Sequence, residues 1–165
     1  MHVDLMRFVD KWAGVPLCFL LSIAHAAIAP LQRGRPSAGA KAEPKKILFL
    51  QLSEMGSAIM AFQALTRARS LFPGAQLYYC IFEEMQESIR LLDIIPPRNI
   101  FTIPSRSAAG FLFGTARTLR RIRQQGFDMV IDMELFARFS SIISYASGAP
   151  IRVGFHKFHM EGLYR

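Results

Sequence analysis

Lys45-Lys46-Ile47-Leu48-Phe49-Leu50-Gln51-Leu52-Ser53-Glu54-Met55-Gly56-Ser57, continued by Ala58-Ile59-Met60-Ala61-Phe62-Gln63-Ala64-Leu65, is the stretch whose reading decides the fold. Two lysines lead into an apolar run of strand length without polar alternation, the pattern of a strand buried on both faces of a parallel sheet. A polar turn with one glycine follows. The spacing then becomes helical, with Ile59, Phe62, Leu65 and Ala68 or Leu71 along one side. Strand, turn and helix together open a βαβ unit. Ligands of such sheets bind at the carboxyl ends of the strands, beside the helix N-termini, and Ser53, Glu54, Gly56 and Ser57 stand there. Neither a dinucleotide G-x-G-x-x-G nor a phosphate loop fits, because Gly56 is the one glycine of the turn. Taken alone, S-x-x-G-S has a plainer reading: Gly56 permits a tight turn and Ser57 caps the helix.

Downstream, strands and helices alternate. Phe72-Pro73-Gly74 stops the first helix. Gln76 to Phe82 reads as a second strand and Glu83 to Asp93 as a short helix ended by Pro96-Pro97. Glu83, Glu84 and Glu87 suit the dipole at that helix start and are assigned no chemistry. Asn99 to Pro104 is a third strand. A long helix follows, started by Ser105 or Ser107 and closed by Gly126, with Leu112, Ala116, Leu119 and Ile122 on one face and Arg117, Arg120 and Arg121 elsewhere. An arginine-rich face of that kind is either solvated or, beside a membrane, in reach of phosphates.

Asp128 to Met133 is the fourth strand, a helix spans Leu135 to Ser147, and Ile151 to Gly154 is the fifth strand. In a sheet ordered 3-2-1-4-5 the first and fourth strands flank the crevice where the order reverses. Asp132 and Glu134 then face Glu54 across it, bringing three carboxylates to one place. The competing reading is that Asp132 or Glu134 only caps the next helix. His156 and His159 are too few for a metal site, so no metal ligand is assigned.

The same segments resemble one family. K-I-L-x-x-x-L-S-x-M-G-S, then A-L-T-R-A-R-S-L-F-P-G-A-Q-L, then D-M-V-I-D and A-S-G-A-P-I-R-V-G-F, resemble in order and spacing the N-terminal domain of the ADP-heptose:lipopolysaccharide heptosyltransferases, glycosyltransferase family 9. The likeness runs from about Lys45 to Arg165. It implies the acceptor-side, Rossmann-like α/β half of a GT-B glycosyltransferase. The implied partner is an anionic glycan or glycolipid acceptor of lipopolysaccharide type. No cofactor is implied beyond a nucleotide-sugar donor such as ADP-heptose, held by a donor domain expected to be absent from these residues, so that this chain alone is expected to be inactive. The family's turn is Ser-Ser-(Leu/Met)-Gly-Asp, whose aspartate is the base toward the acceptor hydroxyl. Ser57 occupies the aspartate position and Glu54 that of the second serine. A serine is no general base at neutral pH, so either Glu54 carries the role or activity is altered. By their places at the carboxyl ends of the strands, Ser53, Gly56, Asp132 and Glu134 are the expected substrate-side residues.

The remainder divides simply. Residues 1–30 form an apolar unit in which Trp12 to Ala29 carries no Asp, Glu, Lys or Arg. It reads as a membrane-attached helix, as a signal peptide cleaved after Ala27-Ile28-Ala29, or as a core helix. Two basic residues precede the stretch and five follow it (Arg33, Arg35, Lys41, Lys45, Lys46), a bias that keeps the next domain cytoplasmic. Membrane attachment, at the cytoplasmic face of a bacterial inner membrane, is the favoured reading. Residues 31–44 are a basic Gly/Pro/Ser linker, and residues 45–165 the Rossmann-like domain. A formal charge of +8 favours anionic partners, and 52% hydrophobic residues suits membrane contact. No RNA- or DNA-binding signature is present, so nucleic acid is not an expected partner. Cys18 and Cys80 sit in apolar runs as free thiols. The alternative from another class is a non-catalytic, membrane-anchored domain that binds an anionic glycan or lipid.

Overall fold

The apolar runs become the sheet. The computed structural model describes residues 43–52, 55–134 and 138–155, and for 55–60 the main chain alone. Residues 1–42 lie outside the described part, and with them the apolar unit, most of the linker and Cys18. Among the described residues there are five strands: β1 (Lys46–Leu50), β2 (Gln76–Phe82), β3 (Ile100–Ile103), β4 (Met129–Asp132) and β5 (Ile151–Gly154). They pair in the order β3-β2-β1-β4-β5, and every pair is parallel. This is the expected Rossmann-like α/β arrangement. β1 is central because Ile47–Leu50 has no polar side chain to offer solvent, and those four residues are at most 1% exposed.

Four α-helices among the described residues cover the faces: α1 (Met55–Leu71), α2 (Gln86–Arg90), α3 (Ala108–Gln125) and α4 (Arg138–Ala146). α1 and α2 pack on the face of Ile47, Phe49, Tyr79 and Ile81 through Ala61, Leu65, Ala68 and Ile89. α3 and α4 pack on the opposite face, where Ile122 and Ile143 meet Leu48, Leu50, Tyr78 and Val130. At the amino edge, the Asp128 carboxylate accepts from the main-chain N–H groups of Lys45 and Lys46, at 2.9 Å each. That bond fixes the register of β1 against β4.

Three sequence expectations shift. α1 begins at Met55, so Gly56 and Ser57 lie inside its first turn. Ser57 is therefore not the N-cap, which must precede the first helical residue. The buried stripe of α1 is Ala61, Leu65 and Ala68, whereas Phe62 and Leu71 are 44% and 52% exposed. Small side chains let the helix approach the sheet, and Phe62 stands about 100° round the helix from Ala61. In α3 the residues against the sheet are Phe111, Thr118, Leu119 and Ile122, while Leu112 and Ala116 point outward. Thr118 can be buried because its hydroxyl donates to the Thr102 carbonyl at 2.8 Å. A pattern read from apolar residues alone misses it.

The helix ends follow the sequence. Ser107 caps α3 by accepting from the Gly110 N–H at 3.1 Å, and Gly126 closes it with φ 63°. Gly114 is a packing residue, since a Cβ there would collide with the Pro104 ring. Alanine gains up to about 1 kcal/mol of helix propensity, but overpacking against a rigid ring costs about 1–3 kcal/mol. Gly114→Ala is expected to lower the urea midpoint by a net loss of roughly 1 kcal/mol. An unchanged or raised midpoint would show that Pro104 yields.

Candidate functional site

The chain leaves β1 for α1 on one face of the sheet and leaves β4 for α4 on the other. Between the carboxyl ends of these two neighbouring strands the helices diverge, which opens a crevice. Gln51 and Leu52 extend β1 into it, and Met133 and Glu134 extend β4. Pairing continues past the strands, with the Met133 N–H donating to the Leu50 carbonyl at 2.9 Å.

Asp132 and Glu134 are both at the crevice. Asp132 is 2% exposed and stands in register with Leu50. Its Oδ1 accepts from the Glu134 N–H at 3.0 Å, which turns the chain after β4. Glu134 is half-buried, and its Oε2 accepts from the Leu52 N–H at 3.0 Å. The carboxylate from β4 thus holds the main chain one residue before Ser53. These bonds run across the crevice and within the turn. Residues 135–137, where a cap for α4 would be, lie outside the described residues. Ser53 and Glu54 lie outside them too, as do the side chains of Gly56 and Ser57, so the expected three-carboxylate cluster is described for Asp132 and Glu134.

The floor beneath is polar where the sequence looked apolar. Gln51 is buried, and its Oε1 accepts from the Tyr79 hydroxyl at 2.7 Å. Burial holds the Tyr79 phenol well above its ordinary range, and the charge of Glu134 raises it further. Burial likewise pushes the Cys80 thiol up to about 12, with Asp132 adding to the effect. Neither group is a base or nucleophile at neutral pH. They support the crevice. Gln51 was legible as the single polar residue interrupting an apolar run.

Glu84 is a helix-start acid, as the sequence suggested, and it also ties two strand ends together. From the turn after β2, its carboxylate accepts from the Ser105 hydroxyl at 2.9 Å and the Ser105 N–H at 3.3 Å, beyond β3. Arg106 lies 3.6 Å away. Burial works to raise its pKa, but hydrogen bonds from its own main chain and from Ser105, with the Arg106 charge, hold it below the usual carboxylate range. Its stabilising effect is therefore complete above the unfolded-state pKa and is lost as pH falls through the lowered native value. For a partly exposed group this is worth about 0.5 kcal/mol. The Ser105 amide resonance is expected to titrate below the normal glutamate range and to stop titrating in Glu84→Gln. Titration at the ordinary value would contradict the link.

Among the described residues no three His, Cys, Asp or Glu side chains group as a metal site. No described helix is long and apolar enough to cross a membrane. Two hollows, of about 370 and 440 Å³, open along α1 and at the amino edge of the sheet, away from the crevice. In the second, Arg69 and Asn99 are engaged with the carbonyls of Ile94 and Leu77, at 3.0 Å each.

No protein-family model and no curated protein matches this sequence. Solved structures do match the fold. A family 9 glycosyl transferase from Veillonella parvula aligns with TM-score 0.63 and 22% identity, over 73% of this chain and 34% of that one. The heptosyltransferase WaaC of E. coli, solved with ADP, aligns with TM-score 0.56 and 15% identity, over 73% of this chain and 39% of that one. At these identities the likeness is one of fold. The chain spans little more than a third of the length of either structure.

Proposed function

We propose that this chain forms the acceptor-side portion of a heptosyltransferase-like glycosyltransferase. It would take part in moving a sugar from a nucleotide-sugar donor to a lipopolysaccharide-type or other cell-envelope glycan, at the cytoplasmic face of a bacterial inner membrane. The observation that carries the reading is the crevice between β1 and β4, lined by Asp132 and Glu134, in a domain whose fold aligns with the family 9 structure. In such a site Glu54 takes the proton of the acceptor hydroxyl as that oxygen attacks the anomeric carbon and the nucleoside diphosphate leaves. Glu134 holds the main chain at Leu52, the residue before Ser53. Gly56 and Ser57, in the first turn of α1, lie beside the acceptor.

The test is transfer by the natural gene product from a panel of ADP- and UDP-sugars to truncated lipopolysaccharide cores, followed by mass spectrometry of the glycan. A mass increase of one sugar with release of the nucleoside diphosphate is expected. Glycan binding without transfer from any donor would favour the non-catalytic anionic-glycan domain, which the +8 charge also suits.

A further inference from the structure

α3 turns its unburied side outward as one stripe of mixed character. Leu112 and Phe113 are 66% and 74% exposed, one turn into the helix. From Phe113 the stripe continues through Arg117, Arg120 and Gln124, spaced four, three and four residues apart and all exposed. The helix carries four arginines and no acidic residue. Two of the four are engaged at the surface: Arg121 lies over the Phe101 ring at 5.3 Å, and Arg123 donates to the Ala146 carbonyl at 3.3 Å. Arg117 and Arg120 are left beside the exposed phenylalanine.

A large aromatic and a leucine on the surface lose the favourable burial they would gain elsewhere, and singly they need no explanation. Here they adjoin a basic stripe free of acids, on a helix whose other face is fixed to the sheet. An apolar edge combined with a one-sign polar face is the pattern of a helix that lies in a bilayer interface. The arginines choose the lipid, because guanidinium groups pair with phosphate oxygens and are attracted to anionic leaflets. Because α3 follows the carboxyl end of β3, Leu112 and Phe113 stand near the crevice edge of the sheet.

We propose that the outer stripe of α3, led by Phe113 with Arg117 and Arg120, docks this domain on an anionic phospholipid surface. The inference deepens the acceptor reading, since a lipid-linked glycan reaches the crevice from a bilayer. It needs nothing from residues 12–29.

The vesicles of the test contain no glycan, so docking and sugar transfer fail separately. Trp12 is the one tryptophan of the sequence. The full chain carrying Trp12→Phe and Phe113→Trp therefore reports from the stripe alone. Its emission is expected to shift to the blue with vesicles of phosphatidylcholine plus phosphatidylglycerol and to stay unchanged with phosphatidylcholine alone. Added Arg117→Gln and Arg120→Gln should weaken the response roughly thirty-fold, with an unaltered urea midpoint. The proposal is overturned if the chain floats with vesicles while the reporter stays unshifted, which would assign attachment to residues 12–29. Equal shifts with both lipids overturn it as well, as does a concentration-dependent shift without vesicles, the mark of self-association.

Discussion

Glu54→Gln in the natural gene product is expected to lower turnover by about a hundred- to ten-thousand-fold, the usual loss of a well-placed general base. The substitution keeps the size of the side chain and removes its basicity, so it isolates proton transfer from packing. Glu54 follows Ser53 directly after Leu52, whose N–H is held by Glu134, and α1 begins at Met55. Glu134→Ala supplies the contrast, since it releases the Leu52 N–H and should lower turnover by loosening the turn. Its pH–rate profile should keep its shape, whereas Glu54→Gln should flatten the acidic limb. A fully active Glu54→Gln enzyme, with Ser57 essential instead, would make Glu54 structural.

Phe49→Ala is expected to remove about 3–5 kcal/mol of stability, the cost of emptying a buried phenylalanine site. Phe49 is 1% exposed on the central strand and packs with Ile47, Leu65, Tyr79 and Ile81. Domains are typically stable by about 5–15 kcal/mol, so the variant should lie close to its unfolding threshold. A fall of about 1 M or more in urea midpoint at unchanged slope would register the loss. Phe113→Ala, at the 74%-exposed position, should stay within about 0.5 kcal/mol of the parent. Equal losses would mean that Phe113 is buried in solution and that the outer face of α3 is covered.

The difference between these two phenylalanines marks what the sequence determined. Strands are written locally: Ile47–Leu50, Gln76–Phe82 and Ile151–Gly154 are short apolar or mixed runs between glycines, prolines and charges, and each appears as a strand. Parallel pairing and the β3-β2-β1-β4-β5 order follow from buried strands joined through helices, together with the family resemblance. The acids at the end of β4 were legible for the same reason, because a strand end is a position in the chain.

Helix faces were decided by the tertiary structure. In α1 the periodicity offered Phe62 with Leu65 and Ala68 or Leu71, and close approach to the sheet selected Ala61 and Ala68 beside Leu65. In α3 a hydroxyl that finds the Thr102 carbonyl, and a glycine against Pro104, turn Leu112 and Phe113 outward. The polar links at the carboxyl edge were equally hidden. Glu84 with Ser105, Tyr79 with Gln51, and Glu134 with Leu52 join residues 21, 28 and 82 positions apart. A hydrogen bond depends on angstroms between atoms that only the assembled sheet brings together, whereas a strand depends on the side chains of its own few residues.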